Sequence, residues 1–377
     1  MSRVHLGDVA IEHKETCKED KSMYPIVGLE HLTPEQITLQ NWNLNTENTF
    51  TKVFRKGNIL FGRRRAYLKK AAVAPFDGIC SGDITVIEAK EDKIIPELLP
   101  FVIQNDDLFD FAVGKSAGSL SPRVKWTHLQ NYEFELPTKE KQRELAKVLW
   151  AIEDTRKSYQ ELIKRTDELV KSQFIELFGE LGSDDKGWGL TTLGQCCELN
   201  PKRPRDINDE TMVSFVPMPA VSEDGKIDCS DIRPYKEVRK GFTYFAENDV
   251  LFAKITPCME NGKGAVARGL ENGIGSGSTE FHVLRPIAGK SNPYWLYIIT
   301  MFDTFRVEAR KVMTGTGGQL RVPIGYLNDY PISLPPIELQ NSFEEFVHQS
   351  DKSKFELNRA LDELTATYKQ IIKDNLG

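Results

Sequence analysis

The side chains best suited to chemistry in this chain are basic ones that follow the end of an apolar strand. Phe61-Gly62-Arg63-Arg64-Arg65, with Lys69 and Lys70 close behind, continues from the strand-like Gly57-Asn-Ile-Leu-Phe61 and should project from a loop. A guanidinium fork matches a phosphate or the O6/N7 edge of guanine bidentately, although such a run can equally be a solvated surface. The corresponding later stretch is Ala253-Lys254-Ile255-Thr256. Two small-residue turns, Ser116-Ala-Gly-Ser119 and Thr314-Gly-Thr-Gly-Gly-Gln319, stand before Arg123-Val124 and Arg321-Val322. Small residues let backbone N–H groups approach an oxyanion, but neither turn ends in the Gly-Lys-Ser/Thr of a nucleotide-binding P-loop, and either is also readable as a plain tight turn. Asn200-Pro-Lys202-Arg203-Pro-Arg205 is broken by proline and cannot be a regular helix, so it is a phosphate clamp or a linker. The candidate contacts to a polyanion are therefore Arg63, Arg64, Arg65, Lys69, Ser119, Arg123, Lys202, Arg203, Arg205, Lys254, Thr256, Thr314, Thr316, Gln319 and Arg321.

Catalytic and metal constellations are weaker. Asp77 with Glu88-Ala89-Lys90 has the spacing of a metal-dependent nuclease, in which two carboxylates hold Mg²⁺ and a lysine assists a water. The aligned later segment, Val283-Leu284-Arg285, has no acid pair, and Glu88 falls in an alternating strand. Cys196-Cys197 with Cys229 or His282 lacks CxxC or HxxxH spacing, so no metal site is expected. No glycine-rich cofactor loop follows a strand.

The elements that must position these residues are made twice. Between Pro137 and Gly179 there is no proline or glycine, and a seam runs through Leu145, Leu149, Ile152, Arg156, Tyr159, Ile163, Thr166, Val170, Gln173 and Leu177. Steps of four and three over about four heptads predict a long coiled-coil helix. Shifted by 198 residues, the slots from Leu145 to Gln173 return as Phe343, Val347, Ser350, Lys354, Leu357, Leu361, Leu364, Tyr368 and Ile371. The lead-ins Arg123–Pro137 and Arg321–Pro335 share R-V-x4-L-x2-Y-x3-L-P. Upstream, His5–Asp8 matches Thr192–Gln195, Gly57–Phe61 matches Asn248–Phe252, Ala72–Ala74 matches Ala265–Ala267, and Gly78–Gly82 matches Gly273–Gly277. The offset grows steadily, as a duplicated domain with loop insertions requires. Parallel pairing of the helices would oppose Arg156 to Lys354, whereas antiparallel pairing sets each against a neutral residue.

Within each copy, Ile84–Ala89 and Thr279–Pro286 alternate as half-buried strands, and Glu97–Val113 and Asn292–Arg310 are helical pieces whose aromatics suit a core. The expected architecture is α/β (α+β): recognition units at residues 1–135 and 181–333, each of mixed β-sheet with helices, and spacer helices at 136–180 and 334–377 pairing as an antiparallel coiled coil. Gly179–Gly187 is the polar link between the copies.

Composition bounds the rest. With 49 basic and 55 acidic residues the net charge is −6, and residues 1–135 (17 basic, 19 acidic) and 181–333 (18 and 19) are each close to neutral. Any surface for nucleic acid must then be a local patch. Six cysteines without paired spacing, no apolar signal core and no membrane-length apolar run point to the cytoplasm and to no membrane partner.

Two variable units, each followed by a Leu-Pro-x4-Gln lead-in (Leu136, Pro137, Gln142; Leu334, Pro335, Gln340) and a long helix, resemble the DNA-specificity subunit of type I restriction-modification systems. The turns ahead of Arg123-Val124 and Arg321-Val322 add to the resemblance, which covers the whole chain. It implies a non-catalytic subunit whose two target-recognition domains each read half of a split site in double-stranded DNA. It also implies that two methyltransferase subunits dock on the helices, that restriction subunits join through them, and that S-adenosylmethionine, ATP and Mg²⁺ bind those partners and not this chain. The specificity subunit of a fused, type IIB-like system is the alternative within the class. The helices would act as a spacer of roughly 60 Å, at ~1.5 Å per residue.

Overall fold

The computed structural model describes residues 2–18, 21, 24–44 and 47–377. Two uninterrupted 40-residue helices, Lys139–Phe178 (the central helix) and Ile337–Leu376 (the C-terminal helix), form where the proline- and glycine-free seams predict them. The chain divides into two compact units, residues 1–161 with 357–377 and residues 162–356, so each unit takes a share of both helices.

In the first unit a four-stranded antiparallel sheet runs in the order Ala10–Glu12, Ile84–Ala89, Ile59–Gly62, Ala71–Val73. A three-stranded sheet places Gly78–Cys80 between Ile26–Val27, its parallel neighbour, and Lys52–Phe54. The second unit repeats the four-stranded sheet as Cys197–Leu199, Phe281–Pro286, Val250–Ala253, Gly264–Val266. Equivalent residues pair equivalently: Ile59 faces Val73 and Ile87, and Val250 faces Val266 and Leu284. The expectation of half-buried strands is corrected here, because Ile84, Thr85, Val86 and Ile87 are all buried, as are Phe281 to Leu284. The alternation is real but divides two cores. Ile87 and Phe61 join one cluster while Val86 and Leu60 join another, and Leu284 and Phe252 part from Val283 and Leu251 in the same way.

Each helical piece is in fact two helices. Asn105 breaks the first and caps Asp106–Gly114 by accepting from the Asp107 N–H (3.1 Å), and extended Phe302 separates Pro293–Met301 from Asp303–Lys311. Their aromatics are core, as the pattern predicts: Phe101, Phe109, Trp295 and Phe305 are fully buried.

The shared lead-in has a physical reason. Gln142 is buried, accepts from the Ile95 N–H (2.9 Å) and donates to the Pro137 carbonyl (2.8 Å). Gln340 likewise accepts from the Asn292 N–H (2.9 Å) and donates to Lys290 and Pro335 carbonyls (3.0 and 2.9 Å). One amide thus ties the start of each long helix to the helical layer of its own unit.

The helices meet in the antiparallel sense within each unit. In the first, Arg156 lies over the Tyr368 ring at 5.6 Å, and Leu145 and Leu149 share a core with Ile372 and Leu376. In the second, Phe174 and Phe178 pack on Phe343, and Lys354 reaches Asp167 (2.9 Å). Arg156 therefore meets a neutral ring from the other helix, with Glu153 from its own (3.1 Å), whereas Lys354 meets an acid and not the neutral residue expected. Toward the ends the buried positions shift from Gln173, Leu177 and Ile371 to Phe174, Phe178 and Ile372. A straight helix at 3.6 residues per turn drifts by about 20° per heptad against a 3.5 repeat, which moves the seam by one position. Ile152, Ile163, Leu357, Leu361 and Leu364 stay half-buried, while Leu145, Leu149, Val170 and Val347 are buried.

Replacing Gln340 by Leu keeps volume but orphans the Asn292 N–H at the head of its helix, which should cost about 1–3 kcal/mol. Urea unfolding of Gln340→Leu against the exposed-site control Gln349→Leu measures it, and equal midpoints would contradict the clamp.

Candidate nucleic-acid interface

Three pieces of chain meet at one end of the four-stranded sheet in each unit. In the first, the Arg63 N–H donates to the Asp83 carbonyl (3.0 Å), the Val124 N–H to the Arg63 carbonyl (3.0 Å), and the Arg65 N–H to the Pro122 carbonyl (2.8 Å). In the second, the Lys254 N–H donates to Glu280 (2.9 Å), Val322 to Lys254 (2.9 Å) and Thr256 to Leu320 (3.0 Å). The loop after the strand, the start of the next strand and the turn before Arg-Val are thus knitted alike twice.

A side-on ion pair closes each junction. Arg123 donates Nε and Nη2 to the Asp83 carboxylate (2.6 and 3.1 Å), and Arg321 donates the same atoms to Glu280 (2.8 and 2.7 Å). Both acids have their own N–H on a serine Oγ two residues back, Ser81 and Ser278, at 3.2 Å. The arginine holds each carboxyl below its ordinary range, chiefly by hydrogen bonding. About two-fifths of each arginine stays exposed (41% and 39%). Nη1 of Arg123 remains outside the fork, while that of Arg321 turns to the Gln319 carbonyl (3.2 Å).

The loops are shaped for display. Arg65 and Lys69 adopt φ of +55° and +50° on either side of the 3-10 turn Ala66–Leu68. Arg64 reaches Ser121 Oγ (3.0 Å) and lies 3.6 Å from Asp83, and Arg65 is exposed. Thr314–Thr316 and Gln319–Arg321 form a hairpin whose Gly317-Gly318 tip has φ of +61° and +77°, as a two-residue type I′ turn requires. A Cβ on Gly315 would stand 2.3 Å from the Gln319 carbonyl oxygen, so glycine is needed there. Thr314, Thr316 and Gln319 are exposed on this hairpin, and Ser119 is exposed on the first unit's turn.

The structure gathers Arg63, Arg64, Arg65 and Arg123 in one unit, and Lys254, Thr256, Gln319 and Arg321 in the other. Lys254 is half-buried and burial pushes its pKa down, and the Thr256 hydroxyl turns inward to Glu260 (2.8 Å). Lys69 turns to Asp106 at the head of a helix. Arg203 donates to the Phe242 carbonyl (3.1 Å) and lies over Tyr235, with Lys202 and Arg205 exposed beside it. The nuclease constellation has separate partners: Asp77 holds Arg55 and the Lys56 N–H, Glu88 holds His13, and the Lys90 amine donates to the Gly7 carbonyl. Among the described residues no group of three or more His, Cys, Asp or Glu is placed to hold a metal ion. Of the zinc candidates, His282 bonds Val322 and Asn200 instead.

Sequence reasoning missed the acids that brace the arginines and also Arg306. Asp83 and Glu280 differ in type, but both stand two residues after a serine at the head of a strand. The expected match of Gly78–Gly82 with Gly273–Gly277 is corrected here by two residues, since Gly78 faces Phe54 as Gly275 faces Phe245, and Ser81 serves Asp83 as Ser278 serves Glu280. Arg306 is buried over Phe252 and donates to the Met259 carbonyl in the second loop, where the first unit stacks Phe109 on Phe61.

A duplicated α+β unit, each with a braced basic loop and a share of two long helices, defines a class of tandem recognition proteins. The model of the type I restriction modification DNA specificity domain matches residues 3–165 and 185–365, and the chain belongs to that family. It is 37% identical over 238 residues to the Escherichia coli type I restriction enzyme EcoAI specificity subunit, covering 58% of this chain and 39% of that one. To the EcoEI specificity subunit of the same organism it is 39% identical over 202 residues, covering 53% and 33%. The matches thus span well under half the length of these relatives. Two solved chains share the fold. One is from a study of complex assembly and conformational transition of the type I R-M system (20% identity, TM-score 0.57, 99% of this chain and 97% of that one). The other is the type I restriction-modification S subunit from M. genitalium (11% identity, TM-score 0.56, 100% and 96%).

The junction is pH-sensitive in a definite direction. A carboxyl held below its unfolded value of about 4.3 stabilises the fold above that pH and ceases to do so as pH falls through its folded pKa. Glu280→Gln should therefore lower the unfolding midpoint at pH 7, and that deficit should shrink as the pH falls below the unfolded value and through the lowered folded pKa; a deficit constant with pH would contradict the ion pair.

Proposed function

We propose that the chain is the non-catalytic DNA-recognition subunit of a type I restriction-modification complex, each unit reading one half of a bipartite site in double-stranded DNA. The observation that carries this is the repetition of one braced basic junction, with the same backbone bonds and the same side-on guanidinium–carboxylate pair, in two globular stretches, residues 1–135 and 181–333, that are each close to neutral. A patch fixed by its own carboxylate presents further donors in a set geometry, which suits base-edge and phosphate contact.

In this reading the paired helices set the unread gap and receive methyltransferase subunits, two per complex, through which restriction subunits join. S-adenosylmethionine supplies the methyl group and ATP with Mg²⁺ drives the restriction chemistry, all on those partners and within the cytoplasm. Family membership, two matched domains and the absence of a membrane-length apolar helix among the described residues support it.

Two measurements on the assembled complex test it. Arg64→Ala should weaken binding to the first half-site and reduce the slope of log K against log salt by about 1 if the contact is to phosphate; unchanged affinity across salt would count against this loop. Inserting four residues beside Lys164, about one helical turn, should lengthen the tolerated gap, and an unaltered gap would sink the spacer.

A further inference from the structure

The turn before Arg123 does something its counterpart cannot. Ala117 and Arg123 exchange backbone hydrogen bonds (3.1 and 2.9 Å), and Gly118 at φ +119° lets the chain reverse. Arg64 braces the turn from outside through Ser121 Oγ, and the Arg65 N–H through the Pro122 carbonyl. The apex of this held turn is Leu120, 90% exposed, the most exposed large hydrophobic side chain among the described residues. Single surface leucines are ordinary, but this one stands on a turn closed by a backbone bridge at Arg123 and braced by Arg64 and Arg65. The equivalent hairpin of the second unit ends in Gly317-Gly318 between Thr316 and Gln319, with no apolar side chain at its tip.

We infer that Leu120 is an apolar wedge that inserts between adjacent base pairs of duplex DNA at the first half-site, while the second unit reads its half without one. The inference rests on the DNA-reading function proposed above. Arginines at the foot of the turn draw in the phosphates, and burial of the leucine between unstacked bases offsets the cost of opening the step, as in other proteins that kink DNA with Leu, Ile, Phe or Met. Pyrimidine–purine steps unstack most readily, so the step entered should be TA or CA/TG. The two half-sites would then differ physically: one is kinked and the other read in place.

The test uses the chain assembled with its methyltransferase partners and 2-aminopurine placed, one position at a time, along the first half-site, apart from the base that is methylated. The wild-type complex should raise fluorescence several-fold at a single step. Leu120→Ala, an exposed substitution that leaves the thermal midpoint in place, should abolish that rise and weaken binding about tenfold. A mismatch built into the same step, which is already unstacked, should restore most of the lost affinity, and Leu120→Phe should keep the rise. No rise at any step, an equal rise with Leu120→Ala, or an affinity loss confined to sites with a thymine methyl would overturn the wedge. Failure of the wild-type complex to bind duplex DNA would remove both the wedge and the recognition function beneath it.

Discussion

In each unit a guanidinium is gripped side-on by a carboxylate from the neighbouring strand, and the presented surface depends on that grip. The arginine comes from the segment that leads into a long helix, and the acid opens a strand that spans two cores. Breaking the contact would leave only backbone bonds between the turn and the sheet and strip a partly buried acid of its main partner. Because the acid neutralises part of the arginine's charge, the exposed remainder has a fixed direction. Fixed direction, more than raw charge, is what a near-neutral recognition unit has to offer.

The second constraint is the attachment of each long helix. Gln142 and Gln340 bind a helix start to the helical layer of its own unit, while the far portion of the other helix packs into the same core. Neither helix is therefore an appendage. Glu153 illustrates the cost: it is buried beside Arg156 and Lys157, and burial pushes its carboxyl up while the two cations pull it down. Near the middle of the helices fewer seam residues are fully covered than at the ends.

Much of this was legible in the chain itself. The duplication, both helices, the Arg63–Arg65 loop and the aromatic helical layer all follow from identities at fixed spacing and from period. What escaped notice depends on long-range partners. Lys69 finds Asp106 and Lys354 finds Asp167 across gaps that no local period encodes. Asp83 and Glu280 were hidden because the two copies use different acids and because the glycine-rich match set Ser81 against Ser276, two residues short of its true counterpart Ser278. The seam slipped by one residue at its ends because a straight helix does not hold a 3.5 repeat. Arg306 was unreadable as an anchor because its partner is a backbone carbonyl, which every residue has.

The most direct measurement of the central claim is the methylome of cells expressing this chain with the methyltransferase subunit proposed to join it, read by single-molecule sequencing. The account predicts one split motif, two short defined blocks around a fixed unread gap, that disappears when this chain is deleted and changes in only one block when one unit is exchanged. A continuous motif, or a pattern indifferent to this chain, would contradict it.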